Sequence, residues 1–328
     1  MTKEFIVDEV TRLDKFLSKK LNQNRNQIEQ LIKKSYVKIK NKKNVKSGLK
    51  LILGQEISVH LPKIIKKEAL EVDFEVEIIY EDDYILVLNK PSGVIIHDAP
   101  SVNEATLVDW LKKYGISLST ISGEERHGIV HRLDKGTSGA IVVAKTNEAH
   151  VKLSKQLEDK TMGRYYLALI DIPLKDDIIV QTYIKRDPNN RLKMANLDNG
   201  KEAKTAFKKL IMNKNIQNNS KKYELIAAKL FTGRTHQIRV HLNSINRYIL
   251  GDNLYGFKGN DSSISRINLH AYCLYLVHPI SNVNMQFVAN IPDDMKDIIN
   301  NNFNKDLINE KINKEYITNC FSNVNSWV

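Results

Sequence analysis

The chain has few cysteines and no long apolar run. Its two cysteines, Cys273 and Cys320, form neither a disulfide framework nor a metal-ligand pair. A membrane span needs about 20 consecutive apolar residues, so we expect no membrane partner. The amino terminus lacks the apolar core of a secretory signal, and we therefore expect a reduced, cytoplasmic location. A Walker loop and a dinucleotide fingerprint are also missing, which predicts that no nucleotide cofactor is needed.

Positive charge is concentrated in the first fifth of the chain. Residues 1–67 hold 17 Lys and Arg against 6 Asp and Glu, whereas the remainder holds 33 against 32. A small basic module beside a nearly neutral one is typical of a polyanion-binding arm joined to an enzyme. A lysine-rich solvated surface would give the same composition, so charge alone leaves both interpretations open.

Apolar spacing predicts two short helices and a hairpin in this basic segment. Leu13, Phe16 and Leu17 repeat at helical spacing, and residues 28, 31 and 32 do the same. An alternating strand follows at 36–40, then a turn at 41–43 and two short strands before residue 60. The cations that this arrangement makes available for phosphates include Arg12, Arg25, Lys33 and Lys38.

The remaining chain has more strand patterns than helix patterns, without strict βαβ alternation. This predicts an α+β domain on a mixed, largely antiparallel sheet, preceded by the small α/β-hairpin domain. We place the first domain at 1–66, a linker at 67–73, the larger domain at 74–296 and a peripheral Asn-rich tail at 297–328. Helices are predicted at 106–114 and 149–159. A turn and a buried strand are predicted within 82–91, with a stop at 90–93, and further strands at 164–170, 178–184, 203–211, 223–230, 236–242 and 283–289.

Three clusters in the larger domain suggest chemistry. The first is a polar loop around Asp134, between the apolar runs 128–130 and 140–144, where catalytic groups on a rigid sheet often lie. The second is Arg164-x-Tyr166 on a predicted strand. The third is 230–241, read as a strand on which Gln237, Arg239 and His241 share a wholly polar face.

Each cluster also has a purely structural interpretation. Asp134 could pair with Lys135, Tyr166 could be a core aromatic, and Arg239 could be a surface residue. Histidines 131, 236 and 241 could bind a metal with Asp134, but no accompanying metal motif supports this, so we predict no metal.

Taken together, these segments resemble the RluA-type pseudouridine synthases, nearest to the branch that modifies large-subunit ribosomal RNA. The resemblance covers about residues 75–292. Its motifs are 131–139 (HRLDKGTSG), 89–93 (NKPSG), 164–168, 233–241 (GRTHQIRVH), 251–256 and 269–271. Residues 11–60 resemble the RNA-binding fold named after ribosomal small-subunit protein four, through 12–14, Arg25, 37–39 and 54–57.

The resemblance implies an RNA isomerase that flips a uridine out of its stack and re-bonds the uracil through carbon five. It gives Asp134 the essential catalytic role, Arg239 the charge partner and Tyr166 the stacking surface on the base. Whether Asp134 attacks the sugar or the base, or removes a ribose proton, stays open. Arg132 is implied to fill the vacated stack. Further RNA contacts are implied for His131, Arg164, Arg234, His236, Gln237 and Lys90.

Two other functions fit parts of the pattern. A glycosidase or base-excision hydrolase would use Asp134 with a second carboxylate, but none lies within the loop. A ribosome-assembly factor would bind RNA without chemistry, yet the set of Asp134, Tyr166 and Arg239 is intact. We expect a monomer that acts on large-subunit ribosomal RNA, with transfer RNA as the alternative substrate. The sequence does not reveal which uridines are modified.

Overall fold

The computed structural model describes residues 2–21, 25–42, 44–61, 71–97, 103–116, 118–119, 128–214, 222–259 and 264–324. The chain divides into two compact units, Met1–Glu68 and Ala69–Val328. The linker expected at 67–73 falls partly outside the described residues. Within the described ranges, none of the helices has the length and apolar character needed to cross a bilayer.

The first unit is a three-stranded antiparallel sheet with two helices. Its sheet has the order β1-β3-β2, and its core is formed by apolar residues of the two helices and the strands, including Phe16, Ile28 and Ile57. The helices match the predicted spacing, whereas β1 was not predicted. The elements are β1 (Thr2–Ile6), α1 (Leu13–Leu21), α2 (Arg25–Lys33), β2 (Val37–Ile39) and β3 (Glu56–His60).

The second unit contains the larger sheet. Its elements are β4 (Glu77–Glu81), β5 (Ile85–Lys90), α3 (Leu107–Lys113), β6 (Ser138–Ala144), α4 (Asn147–Glu158), β7 (Gly163–Ile170), β8 (Ile178–Arg186), β9 (Met194–Asn196), β10 (Lys201–Met212), β11 (Glu224–Leu230), α5 (Gln237–Ser244), β12 (Leu269–Val277), β13 (Asn284–Val288), α6 (Asp293–Asn302), α7 (Lys305–Lys311) and α8 (Lys314–Asn319).

The described strands of this unit form one sheet with the order β4-β5-β6-β12-β7-β11-β10-β8-β9, and β13 pairs with β12. Only the β6–β12 pairing within it is parallel. The predicted mixed, largely antiparallel α+β fold is therefore confirmed. The central strand β12 was not predicted, because it is buried on both faces and shows no polar alternation.

Both faces of the sheet centre are buried. Along β7, Tyr166 and Ala168 belong to one apolar cluster, while Tyr165 and Leu167 belong to another on the opposite face. Helices α3 and α5 cover the first face. The second face is covered in part by α6, α8 and the residues after them, through Met295, Ile298, Phe303, Ile317 and Phe321.

The segment 297–328 was expected to be a peripheral tail, and its described part, up to residue 324, corrects that prediction. Phe303 and Ile317 are fully buried, and Phe321 stacks on Tyr165 with ring centroids 5.4 Å apart. The physical reason is that the second face of the sheet is apolar and must be removed from water. The Asn-rich composition concealed the apolar residues that do this.

Candidate active site

The loop that carries Asp134 lies immediately before β6 and is tied down from within and from a neighbouring turn. The backbone N–H of Thr137 donates to the carbonyl of Asp134 at 3.0 Å. The hydroxyl of Ser92 donates to the carbonyl of Gly136 at 2.9 Å. The side chain of Asp134 is 17% exposed. These bonds fix the position of a carboxylate that solvent or substrate can still reach.

Lys90, predicted to contact RNA, lies instead beneath this loop. Its ammonium is fully buried and donates to the carbonyls of Pro91 at 2.8 Å and Val94 at 2.9 Å, with the carbonyl of Lys135 at 3.4 Å. Burial lowers the pKa of Lys90 to about 7, against the opposing charge of Asp134. The prediction was wrong because Lys90 ends β5 with its side chain turned inward, where backbone carbonyls need a donor.

Tyr166 lies in the middle of β7. Its neighbours across the sheet are Ala228 on β11 and Ala271 on β12, and it is 4% exposed. Two alanines leave space beside the ring, so Tyr166 forms part of the wall of a cavity. Burial raises the pKa of Tyr166, which keeps its hydroxyl protonated.

Arg164, two residues before Tyr166 on the same face of β7, contacts the Asp134 loop. Its Nη1 is hydrogen-bonded to Nδ1 of His131. Burial, together with this cation, holds the pKa of His131 well below its usual value. His131 is therefore neutral, and the pair joins the loop to the central strand.

The segment 236–242 is not the predicted strand. His236 adopts a left-handed conformation with φ 56°, and helix α5 begins directly after it. Ile238, Leu242 and Ile245 then face the core together, at a helical spacing of four and three. Alternation of apolar and polar residues suggested a strand, but burial of this helical face decided the local structure.

The helix separates side chains that a strand would have placed together. Successive positions rotate by about 100°, so Gln237 and Arg239 point roughly 200° apart. Gln237 donates to Thr205 and to the carbonyl of Lys204, and one turn later Nδ1 of His241 lies 2.8 Å from the same Thr205 hydroxyl. Gln237 and His241 therefore brace α5 against β10, while Arg239 faces the Asp134 loop.

Gln237 also organises the turn before α5. Its Oε1 accepts from the hydroxyl of Thr232 at 2.8 Å and from the backbone N–H of Arg234 at 2.9 Å. Gln237 is 3% exposed, and its amide makes hydrogen bonds through both its oxygen and its nitrogen. Its role in the structure is to hold the turn.

Arg239 is held by a carboxylate that the sequence analysis assigned no role. Its Nε and Nη2 donate to the two oxygens of Asp252 at 2.7 and 2.8 Å, and both side chains are at least 95% buried. Its Nη1 lies 3.8 Å from Oδ2 of Asp134. Burial disfavours the charge of Arg239, but the bonds and charge of Asp252 outweigh it and raise the pKa.

Tyr255 completes this arrangement. Its ring lies 4.7 Å from the guanidinium carbon of Arg239, and its hydroxyl is 2.9 Å from Nδ1 of His236. Burial lowers the pKa of His236, so this histidine is neutral at pH 7. Asp252 and Tyr255 thus fix Arg239 so that one nitrogen remains directed at Asp134.

A cavity of about 330 Å³ brings most of the predicted residues of the larger domain together. This volume is at the lower end of the range for small-molecule sites. Arg132 is exposed at its edge. The predicted residues that line it are His131, Arg132, Asp134, Arg164, Tyr166, Arg234, His236, Gln237 and Arg239.

The histidines do not form a metal site in the described part of the chain. His241 is bonded to Thr205 and Thr182 rather than directed at Asp134. Across the described ranges, no three His, Cys, Asp or Glu side chains converge as metal ligation would require.

The predicted RNA-binding cations of the first unit fall into two groups. Arg12 and Arg25 both donate to the carboxylate of Asp14, whose side chain is 6% exposed, while about half of each arginine side chain stays exposed. Lys33 and Lys38 instead line a separate groove of about 750 Å³. Lys33 also pairs with Glu29 at 2.8 Å.

The sequence predicted a motif at 251–256, but the contacts of Asp252 and Tyr255 with Arg239 were not predicted. Gly251, at φ 82°, places its Cα where a Cβ would lie 1.9 Å from the carbonyl of Arg266. Only glycine fits there, and this close approach sets Asp252 in the interior beside Arg239. The single acid in the short segment between Gly251 and Gly256 was the available signal.

Comparison with known proteins agrees with this fold. Residues 84–244 match the family described as RNA pseudouridylate synthase. The chain is 48% identical over 297 residues to an uncharacterized RNA pseudouridine synthase of Helicobacter pylori strain J99, which covers 90% of each chain. It is 33% identical over 258 residues to a ribosomal large subunit pseudouridine synthase D of Xylella fastidiosa, which covers 75% of each.

A solved structure, human RNA Pseudouridylate Synthase Domain Containing 1, matches 67% of the chain and 84% of its own length with a TM-score of 0.53 at 24% identity. That likeness concerns the fold alone. The sequence matches define an isomerase that acts on RNA. The chain belongs to the RluA-type RNA pseudouridine synthases.

Proposed function

We propose that this pseudouridine synthase modifies specific uridines of large-subunit ribosomal RNA, with Asp134 as the essential catalytic group. One observation carries the proposal: Oδ2 of Asp134 lies 3.8 Å from Nη1 of Arg239, beside a cavity that Tyr166 also lines. A fixed anion, a buried cation and an aromatic ring are what a flipped uridine needs around it.

The isomerisation breaks the bond between N1 of uracil and C1′ of ribose and forms a bond between C5 and C1′. The proton lost from C5 is balanced by one gained at N1, so the reaction involves no net oxidation or reduction. The detached base must turn while it stays bound, and an anion must act beside the sugar and the base. Asp134 supplies that anion, and the hydrogen bonds made by Thr137 and Ser92 fix its loop.

Base flipping gives the substrate access to Asp134. Extruding a nucleotide costs a few kcal/mol, and stacking on an aromatic side chain returns roughly 1–3 kcal/mol. We assign the stacking to Tyr166, since its ring adjoins the space beside Asp134. Arg132, exposed at the edge of the cavity, has a planar guanidinium that suits the vacated place in the RNA stack.

Arg239 is assigned the role of keeping Asp134 ionised and oriented. A carboxylate covered by substrate loses solvation, and a fixed cation beside it compensates for that loss. At 3.8 Å the contact with Arg239 is electrostatic, with direct hydrogen bonds reserved for Asp252. We expect Arg239→Ala to reduce turnover far more than RNA affinity. Equal losses of both would contradict this role.

Ribosomal RNA is favoured over transfer RNA because relatives such as that of Xylella fastidiosa are named for the ribosomal large subunit. We propose that residues 1–66 form the S-four-like RNA-binding arm. Its high positive charge and the half-exposed Arg12 and Arg25 support sequence-independent phosphate binding. We propose a monomer, because one chain forms the whole cavity, and we propose a cytoplasmic location from the sequence features given above.

The decisive experiment is pseudouridine mapping in a strain that lacks this protein. Specific sites in large-subunit ribosomal RNA should lose the modification and regain it with the wild-type gene, but not with Asp134→Ala. Sites lost in transfer RNA would redirect the substrate assignment. Free uracil released from RNA by the purified enzyme would favour the hydrolase. Restoration of the sites by Asp134→Ala would overturn the catalytic assignment.

A further inference from the structure

A second, more open groove of about 440 Å³ adjoins the candidate catalytic cavity. The turn formed by Gly233, Arg234 and Thr235 lines both spaces. The opposite wall of the groove comes from the end of β8, the start of β9 and the turn before β10. A chain leaving the cavity across the 233–235 turn therefore enters this groove.

Four cations line the groove. They are Lys185, Arg186, Lys201 and Arg234. Within the described ranges, none of them forms an ion pair with a carboxylate. Arg186 donates to the carbonyl of Arg191, and Arg234 donates to that of Glu202 at 2.9 Å. These bonds orient both guanidinium groups and leave their charge available to an outside anion.

Three neighbouring carboxylates only partly offset the four cations of the groove. Oδ1 of Asp187 accepts from the backbone N–H groups of Asn189 and Asn190, and Oε1 of Glu202 accepts from Gln181 at 2.9 Å. Asp198 is the remaining exposed acid on the adjoining turn. The local charge is positive on balance, and this favours a polyanion.

Gly233 supplies an independent observation. Its φ is not in the left-handed region, and a Cβ built on it would meet no heavy atom within 4 Å. Neither backbone conformation nor internal packing requires glycine at this position. A glycine in the wall shared by the two spaces does permit a ligand to approach the backbone closely.

The groove wall is connected to the residues that hold Arg239. The backbone N–H of Met194, on β9, donates to the hydroxyl of Tyr255 at 2.8 Å, and the Tyr255 ring lies against Arg239. The distance between the groove and the catalytic cavity is therefore set by the fold. Such a fixed distance suits a ligand with a regular backbone repeat.

We propose that this groove binds the phosphodiester backbone of the RNA strand adjoining the flipped uridine. The inference rests on the proposed function and extends it, because it assigns the flanking strand to Lys185, Arg186 and Lys201. These cations bind the charged phosphates and do not recognise the base sequence. They hold the strand so that one nucleotide lies over the cavity.

The test compares two charge-matched double variants of the full-length enzyme. Lys185→Gln/Lys201→Gln removes two groove charges that make no hydrogen bond in the described structure. Lys175→Gln/Lys305→Gln removes two exposed charges elsewhere on the same unit. The substrate is a transcript that contains one mapped uridine in a single-stranded loop. Measurements are KM and kcat for pseudouridine formation, and the salt dependence of RNA binding.

We expect the groove variant to raise KM about tenfold while kcat changes less than twofold. Its plot of log affinity against log salt should become shallower by about 1.4, since each single-strand phosphate contact contributes about 0.7. The control should match wild type. A groove variant with the KM and salt slope of the control would overturn the proposal.

Gly233→Ala gives a second test that does not depend on charge. The substitution should leave the melting temperature unchanged but raise KM, because the added methyl occupies the path of the strand. An unchanged KM, or a lowered melting temperature, would count against the inference. If wild-type enzyme forms no pseudouridine in the transcript, the proposed function fails, and the salt slope still tests the groove.

Discussion

The two units of this enzyme use the same pair of side chains, arginine and aspartate, in opposite ways. In the first unit, Asp14 is nearly buried and binds two arginines whose side chains are 49% and 53% exposed. In the second, Arg239 is 5% exposed and is held by Asp252, which is 1% exposed. In this second pair, Arg239 directs its remaining nitrogen, Nη1, at a third residue, Asp134.

The difference lies in which charge is made available. Asp14 fixes two guanidinium groups at the surface, where long-range attraction to phosphate is screened by salt. Asp252 fixes one guanidinium in the interior, where its field acts on a single carboxylate with little screening. The first arrangement suits binding of any RNA, and the second suits chemistry at one nucleotide.

The largest effect should follow from Asp134→Asn, which removes the charge with little change of shape. We expect turnover to fall by at least about 10³-fold, as for loss of an essential acid–base or nucleophilic group. RNA affinity should stay within about twofold, because phosphate contacts lie elsewhere. Single-turnover pseudouridine assays and filter binding would measure both. Substantial residual turnover would move the catalytic role to another group.

The next effect should come from Asp252→Ala, which leaves Arg239 buried without its carboxylate. Removing one partner of a buried pair costs about 3–5 kcal/mol of stability. Turnover should also fall, since Arg239 is then no longer held in its position beside Asp134. Urea unfolding of Asp252→Ala, Arg239→Ala and the double variant would measure the coupling. If the losses of stability simply add, the two residues do not act as a unit.

A smaller effect is expected from Asp14→Asn in the first unit. Arg12 and Arg25 would keep their charge but lose their common anchor, so KM should rise roughly fivefold, equivalent to about 1 kcal/mol for screened pairs. The matched control is Glu29→Gln, which frees Lys33 from its own ion pair and should not raise KM. A rise in KM of the same size in both variants would show that Asp14 has no special role.

A pH-dependent effect on stability also distinguishes the two units. Burial lowers the pKa of His241 and His270 to about 4, so both are neutral in the folded second unit. An unfolded histidine takes up a proton below about 6.5, and stability should therefore fall as the pH falls from 6.5 to 4. Asp14, despite opposing burial, has its pKa lowered by Arg25 and Arg12. The contribution of ionised Asp14 to the stability of the first unit is complete above pH 3.8 and is lost only below that value.

Tryptophan fluorescence can follow the second unit alone, because the first 68 residues contain no tryptophan. Its unfolding midpoint should decline from pH 6.5 downward, and His241→Asn should flatten that decline. A midpoint that is constant down to pH 4 would show that these histidines are not kept neutral by the fold.

Sequence patterns predicted the elements that carry a clear local signal. The helices α1 and α2 followed from spacing such as Leu13, Phe16 and Leu17, and β7 followed from its β-forming residues although both of its faces are buried. The C-terminal helices were missed because their apolar stripe lies among asparagines, and strand β12, which shows no polar alternation, was missed as well. Helix α5 was predicted as a strand because its residues alternate between apolar and polar. Only the packing of Ile238, Leu242 and Ile245 against the core favours the helix.

By itself the sequence determined where polar residues interrupt apolar segments and where positive charge is concentrated. It predicted the Asp134 loop and the basic first unit from these patterns, whereas the predicted roles of Tyr166 and Arg239 came from the resemblance to a known family. The tertiary structure alone decided which charges meet. Asp252 reaches Arg239 from 13 residues away, and Lys90 turns inward under the loop. Ion pairing depends on distances of a few ångströms that sequence separation does not fix.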